Sequence, residues 1–286
     1  MSNLKNFYNK AKNFLKKLVN ECMTNDLFAL SGDMTYKLIL ALFPLLIFAF
    51  NVISFLNLDS SLILDSINGA LPPEVMEIIT TFVTEVVDVK STTLLSASLL
   101  MSIFSASSGF ASMMRGINKT YGEEDTRNWV HKRLLSMVLV LVFVLVVVLA
   151  MGMMIFSNNI RAFILRHLGE NETINFLFSI SGYFISIFII LVIIVIIYKV
   201  GSFKKVKIID VFPGACVTVI FWLLFSKVFN VYVTNFSRYS VVYGSIGSIF
   251  ILLIWLNFIS AFLLMGSQIN ALLVDMPQEA GARKEK

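Results

Sequence analysis

Six continuous apolar runs constrain this chain more than any other feature. Each run approaches or exceeds the roughly 20 residues that a helix needs to cross about 30 Å of hydrocarbon. The runs cover residues 38–56, 93–113, 134–156, 174–198, 208–231 and 246–274. Because they do not alternate between apolar and polar residues, they indicate helices and not the strands of a barrel. The sequence predicts an all-α, polytopic membrane helical bundle with six transmembrane helices, in a single membrane domain over residues 1–286.

The composition agrees with lipid as the solvent. Of the 286 residues, 57% are hydrophobic and 14% are charged, whereas a soluble domain is nearly half apolar and about a quarter charged. The formal net charge is +5, but the basic residues flank the apolar runs and form no separate basic domain. We therefore expect membrane lipids around this chain and no nucleic-acid partner.

The distribution of basic residues predicts an orientation. The segments before the first run, between the second and third, between the fourth and fifth, and after the sixth carry Lys5, Lys10, Lys12, Lys16, Lys17, Lys37, Arg115, Lys119, Arg127, Lys132, Arg133, Lys199, Lys204, Lys205, Lys207, Arg283, Lys284 and Lys286. The alternate segments carry Lys90, Arg161, Arg166 and Arg238. Cytoplasmic loops are rich in Lys and Arg, so the N- and C-termini are both predicted to be cytoplasmic. This alternation requires an even number of spans.

Residues 1–36 are predicted to form a cytoplasmic amphipathic segment. Between Leu4 and Val19 the apolar residues fall on one arc of a helix, and the lysines lie outside that arc. The pattern predicts a helix on the inner membrane surface, attracted by anionic lipid headgroups. The alternative is a cytoplasmic helix that packs against the bundle.

Serines at helical spacing mark the second span. Ser102, Ser105 and Ser108 recur every three residues within an otherwise apolar run. Polar groups at membrane depth are costly, so these serines are candidate substrate-binding residues along a transport path. Small residues also let helices approach closely, and their hydroxyls bond across the contact. Both interpretations remain open from the residues alone.

Further candidate substrate-binding residues lie near the ends of the spans. Arg115 and Asn118 follow the serine-rich run, and a guanidinium there could bind phosphate or carboxylate with two hydrogen bonds. The alternative for Arg115 is a plain cytoplasmic anchor. The other candidates are Tyr239 and Tyr243, which interfacial position alone also explains, and Gln268 and Asn270, which could bind a polar ligand or join helices.

An ordered set of residues over nearly the whole chain resembles the YihY/BrkB family of bacterial inner-membrane proteins. The set comprises Tyr36, Phe43-Pro44-Leu45, Leu71-Pro72, Ser105-Ala106-Ser107, Arg115, Asn118, Tyr121-Gly122, Pro213-Gly214-Ala215, Trp222, Phe229, Tyr232, Phe236, Tyr239, Tyr243-Gly244-Ser245, Leu253, Trp255, Leu264, Gly266 and Asn270. The resemblance implies six helices and a multi-pass location in the bacterial plasma (inner) membrane. The family commonly has an acidic residue where Gln268 stands, so a role that requires a carboxylate there is not expected. Its biochemical role is poorly settled, so the resemblance implies topology more than mechanism.

Transport, catalysis and scaffolding are the three classes of function open to such a chain. The leading expectation is a transporter or lipid-handling protein for an amphipathic or anionic substrate such as a phospholipid, since Arg115 and the basic N-terminal helix suit anionic headgroups. The alternative is an envelope scaffold or partner subunit without its own flux, with a protein partner or a homo-oligomer. Cation or proton exchange ranks lower, because it usually needs a buried carboxylate and none lies at mid-membrane.

Enzymatic activity is not expected, although proteins similar to this one have carried a ribonuclease label. His131 and His167, the two histidines, are predicted on opposite membrane faces. No Cys, His or Asp residues have the spacing of a metal site, and no nucleophile–base pair or phosphate-binding loop is evident. The expectation is no cofactor, no metal and no catalytic residue.

Overall fold

The structure is a computed structural model that describes residues 2–55, 64, 76–77, 80–81, 92–146, 172–235 and 245–282. These residues form seven long helices and no strand, which confirms the all-α prediction for this part of the chain. In chain order the helices are α1 (Ser2–Thr24), α2 (Leu27–Phe55), α3 (Thr92–Thr120), α4 (Trp129–Val146), α5 (Glu172–Gly201), α6 (Ile208–Asn235) and α7 (Ser245–Ala282).

Five of the described helices, α3 to α7, are long and apolar enough to cross a membrane. The qualifying segments are Ser96–Thr120, Trp129–Val146, Phe184–Gly201, Ile208–Val233 and Ile249–Asp275. They overlap the second to sixth predicted spans, and the second continues beyond residue 113 to Thr120. The first predicted span lies in α2, which is not among the five. Six spans and cytoplasmic termini therefore stay predictions.

α7 is the central helix of the bundle. It packs against α1, α2, α3 and α6, while α2 lies along α3 and α5 packs against α6. Met34, Ile117 and Leu264 are among the buried core residues. Large apolar side chains such as Phe184 and Val228 are exposed on the outside of the bundle. An exposed apolar surface of this extent fits a chain that has lipid around it.

Two glycines bring α6 and α7 into close contact. A Cβ atom added at Gly266 would lie 2.5 Å from the Tyr198 hydroxyl oxygen and 2.6 Å from the Gly214 carbonyl oxygen. A Cβ at Gly214 would overlap the Gly266 carbonyl oxygen and lie 2.5 Å from Asn270 Oδ1. Small residues at helix contacts let backbones approach in membrane proteins, and at these two positions only glycine fits.

A buried tyrosine joins three helices beside this glycine contact. The hydroxyl oxygen of Tyr198 in α5 lies 2.7 Å from Thr218 Oγ1 in α6, and it donates to the Leu263 carbonyl of α7 at 2.5 Å. Tyr198 is fully buried. The hydroxyl group therefore has partners on both neighbouring helices, as a buried phenol requires.

One part of the apolar arc of α1 packs against the bundle, and the other part is exposed. Leu18 is buried against Ile269 and Leu272 of α7, so α1 packs against the bundle as the second sequence interpretation describes. An adjacent stripe of exposed apolar side chains comprises Tyr8, Leu15, Val19 and Met23. Insertion of that stripe into a membrane surface stays a prediction.

A sharp turn separates α1 from α2. Asp26 has a positive φ of 51° at this turn, a conformation in which Asp is tolerated better than most residues. α2 then begins at Leu27. Residues 27–36 of the predicted cytoplasmic segment are thus the first turns of the helix that contains the first predicted span.

Candidate functional site

Polar side chains concentrate where the α1–α2 turn, the end of α3, the α5–α6 loop and the last third of α7 meet. We call this region the polar end of the bundle. Asn25 Nδ2 donates to Gln268 Oε1 at 2.8 Å, and Gln268 Nε2 donates to the Thr120 carbonyl at 3.4 Å. The hydroxyl oxygens of Thr120 and Ser267 lie 2.7 Å apart. Gln268, a predicted substrate-binding residue, therefore joins α7 to the α1–α2 turn and to α3.

A charged cluster lies between α2 and α3 at the polar end. The Asp33 carboxylate accepts hydrogen bonds from Lys37 Nζ at 2.8 Å and from the Ser112 hydroxyl, and Arg115 Nη2 lies 3.9 Å from it. Partial burial acts to raise the pKa of Asp33. The two hydrogen bonds and the two positive charges outweigh that effect, so the pKa lies below its usual range. An ionised carboxylate thus organises this cluster at neutral pH.

Arg115 is the most accessible member of the charged cluster. Its side chain is 63% exposed, and its contact with Asp33 is long for a hydrogen bond. A guanidinium has five N–H donors in a planar fork. Most of those donors are accordingly available to a ligand, which is the geometry that the sequence interpretation of Arg115 requires.

Asn118 is buried, and its side chain has backbone partners in α3, in α5 and in the α5–α6 loop. Its Nδ2 atom donates to the Met114 carbonyl at 2.8 Å and to the Gly201 carbonyl at 3.2 Å. Its Oδ1 atom accepts from the Phe203 amide at 2.6 Å. These contacts attach the end of α3 to the α5–α6 loop. They support a positioning role for Asn118 more than direct contact with a ligand.

The predicted serines of the second span lie along α3, where it packs on α2. Ser102 Oγ is 2.6 Å from the Pro44 carbonyl of α2 and 2.5 Å from the Ser98 carbonyl. Ser108 donates to the Ser105 carbonyl within α3 at 2.7 Å. Ser102 is buried, and Ser105 and Ser108 are half-buried. These contacts support the helix-packing alternative for Ser102, and substrate binding by the three serines stays a prediction.

Asn270 holds the beginning of α6 against α7. Its Oδ1 atom accepts from the Gly214 amide at 2.7 Å, and its Nδ2 atom donates to the Val211 carbonyl at 3.0 Å. Asn270 is fully buried, so the structure supports its role in joining helices. Tyr239 and Tyr243, the two remaining predicted site residues, lie outside the described residues.

The structure adds residues that the sequence interpretation did not select. Asp33 is the most informative, because it organises the charged cluster around Arg115. Its spacing of four residues from Lys37 is the usual signal of an ion pair on a helix, and the pair is present at 2.8 Å. Among the described residues, no group of three or more His, Cys, Asp or Glu side chains could hold a metal ion.

Comparisons with known proteins agree on one family. The family model described as Virulence factor BrkB matches residues 18–286. The ribonuclease-like protein YfkH of Bacillus subtilis is 28% identical over 260 residues, which cover 91% of this chain and 94% of YfkH. A UPF0761 membrane protein of Histophilus somni is 23% identical over 282 residues, covering 96% of this chain and 94% of that protein. No solved structure matches this chain.

Proposed function

Because this chain belongs to the virulence factor BrkB family of membrane proteins, we propose that it is a multi-pass protein of the bacterial inner membrane that transports or handles an amphipathic anionic substrate such as a phospholipid. Six spans, with both termini in the cytoplasm, are part of the proposal. The polar end of the bundle then lies at the inner membrane surface, where the basic loops are predicted.

The exposed guanidinium of Arg115 is the observation that carries this proposal. In its cluster, the single negative charge of Asp33 faces two positive charges, those of Lys37 and Arg115. The cluster therefore keeps a net positive charge of one, which favours an anionic headgroup. A bidentate contact from Arg115 to a phosphate would be stronger than a neutral hydrogen bond.

An apolar surface adjoins the charged cluster, which favours an amphipathic substrate over a small polar anion. Tyr36 and Leu40 follow Asp33 on the same face of α2 and are exposed. Phe104 is exposed on the adjoining helix α3. A lipid could thus place its headgroup at Arg115 and its acyl chains along these side chains.

Substitution of Arg115 tests the proposal directly. In proteoliposomes that contain a headgroup-labelled phospholipid, label from the inner leaflet should move to the outer leaflet, where an impermeant quencher reacts with it, faster when the protein is present. The Arg115→Ala variant is expected to lower that protein-dependent rate at least about tenfold, since a charge-assisted contact contributes about 1.5–3 kcal/mol. Its melting temperature should remain that of the parent, because the side chain is exposed.

The matched control is Lys119→Ala, which removes a positive charge one turn further along α3. Lys119 pairs with Asp26 at 3.3 Å and is not part of the charged cluster. We expect its rate to stay within about twofold of the parent, since Lys119 lies outside the proposed binding site and its exposed ion pair contributes little to stability. Equal rates for parent and Arg115→Ala would remove Arg115 from the site. No protein-dependent quenching at all would reject lipid translocation and favour a scaffold.

Ribonuclease activity is not part of this proposal, although the name of the Bacillus subtilis relative refers to it. His131 lies in the exposed first turn of α4, and His167 is outside the described residues. The charged cluster at the polar end contains one carboxylate, two cations and a hydroxyl. That set suits electrostatic binding of an anion better than acid–base chemistry, which usually employs a histidine or a second carboxylate.

A further inference from the structure

The α5–α6 loop forms a basic pocket that is separate from the cluster around Arg115. The pocket is open, has a volume of about 380 Å³, and is lined by Lys199, Ser202, Phe203, Lys204, Lys205, Val206 and Lys207. We call residues 202–207 the basic loop. Four of the lining residues are lysines, and any ligand that enters the pocket therefore meets concentrated positive charge.

The basic loop is held in one conformation from several sides. Its first part is fixed by Asn118, which accepts a hydrogen bond from the Phe203 amide at 2.6 Å. Lys199 Nζ donates a hydrogen bond to the Val206 carbonyl in the second part of the loop. The ring of Phe203 also lies under the guanidinium of Arg127, with 5.5 Å between the guanidinium carbon and the ring centroid. A pocket organised before binding loses less conformational entropy when a ligand arrives.

Two nearby acids leave part of this positive charge uncompensated. Asp275 pairs with Lys204 at 3.3 Å, and Asp210 Oδ2 accepts from the backbone amide of Lys207 at 2.8 Å. The side chains of Lys205 and Lys207 are exposed and form no ion pair with any residue that the structure describes. Two ammonium groups are therefore available to an anion.

A buried donor without a partner lies beside the basic loop. The Tyr121 hydroxyl is buried and has no hydrogen-bond partner among the described residues, and Lys204 Nζ lies 6.0 Å from the Tyr121 ring centroid. Burial, followed by the carboxylates of Asp210 and Asp275, raises the pKa of Tyr121. The hydroxyl consequently keeps its proton. This buried hydroxyl is therefore a hydrogen-bond donor beside the basic loop, although it does not line the pocket.

An exposed apolar edge adjoins the pocket at the start of α6. Ile208 and Ile209 follow the basic loop directly, and their side chains are 62% and 72% exposed. Phe212 is exposed one turn later. The lysines match the charged headgroup of a phospholipid near the membrane surface, and the exposed apolar side chains match its acyl chains.

We propose that the basic loop binds a phosphate group through Lys205 and Lys207. The favoured source is the headgroup of an anionic phospholipid, because the apolar edge of α6 can hold its chains, and free phosphate is the other source of the same chemistry. The positive end of the α6 dipole, which begins at Ile208, adds to the attraction. This inference deepens the lipid-handling function and rests on it for its role in the cell, but binding is measured separately from flux.

Calorimetric titration of the purified full chain in detergent tests this site. The probes are dihexanoyl-phosphatidylglycerol and inorganic phosphate, each titrated alone and then in competition. The Lys205→Gln/Lys207→Gln variant is expected to bind the lipid at least about tenfold more weakly, since one lost charge-assisted contact accounts for about that factor. The Lys205→Arg/Lys207→Arg variant keeps both charges and should bind within about threefold of the parent.

The matched control is Lys119→Gln, which removes an exposed charge at the end of α3 that does not line the pocket. Lipid binding that inorganic phosphate does not displace supports a headgroup site, whereas displacement supports a site that also accepts free phosphate. Equal weakening by the Lys119 and loop variants would overturn the proposal, because bulk charge would then explain binding. Absence of binding by either probe to the folded parent would overturn it too. Lipid translocation that depends on Arg115 could still persist in either case, so the two proposals fail separately.

Discussion

Replacing Gly266 with alanine is expected to destabilise the bundle by about 3 kcal/mol or more, at the upper end of the usual effect of overpacking. The added Cβ would lie 2.5 Å from the Tyr198 hydroxyl oxygen and 2.6 Å from the Gly214 carbonyl oxygen. The second of these atoms belongs to a neighbouring backbone, so the clash is relieved only if α6 and α7 move apart. We expect the melting temperature in detergent to fall by at least about 6 °C.

Gly182→Ala is the matched control for this experiment. Gly182 lies in α5, and a Cβ there would meet no atom within 4 Å. Alanine stabilises a helix by about 1 kcal/mol relative to glycine, so this variant should melt at the parent temperature or slightly above it. A Gly266→Ala protein that melts within about 2 °C of the parent would contradict the close contact of α6 and α7.

Asn270→Ala is expected to destabilise the bundle by about 2 kcal/mol or more. The substitution removes the acceptor of the Gly214 amide and the donor to the Val211 carbonyl. Asn270 is fully buried, so water does not readily replace either bond, and an unsatisfied buried group costs about 1–3 kcal/mol. Unfolding in a denaturing detergent, followed by circular dichroism, measures this loss against the parent.

Asn257→Ala on the same helix serves as the comparison for Asn270. Asn257 is half-buried and makes no hydrogen bond to any residue that the structure describes. Its truncation should change the unfolding free energy by less than about 0.5 kcal/mol, because no hydrogen bond within the described residues is lost. If the two asparagine variants unfolded alike, the hydrogen bonds of Asn270 would contribute nothing beyond side-chain volume.

The long helices were predictable because lipid imposes a simple requirement on sequence. A spanning helix must be apolar over its whole length, and α5 and α6 lie close to their predicted ranges for that reason. The end of α3 was harder to place, because the apolar run stops at residue 113 while the helix continues to Thr120. Ile117 and Asn118 are buried there by neighbouring elements, and hydropathy along one segment does not register such burial.

The roles of polar residues at the polar end were only partly predictable. Asn118, Gln268 and Asn270 were selected because polar groups near a membrane are costly without partners. Their partners include the Gly201, Thr120 and Val211 carbonyls, and a backbone carbonyl has no sequence signature. The sequence could therefore identify these residues but could not separate ligand binding from helix joining. Arg115 differs, because the structure leaves its side chain accessible.

The central position of α7 affects when the bundle can close during synthesis. This helix is made after the other six, yet it provides the Leu263 carbonyl for Tyr198, the Asn270 amide for Gly214 and the Gln268 amide for Asn25. Before α7 is made, those earlier groups lack their final partners, and Tyr198 and Gly214, which fall in predicted spans, meet few others in lipid. Assembly is thus delayed until the last helix enters. We expect a chain interrupted before that point to display unpaired polar groups that have partners in the complete bundle.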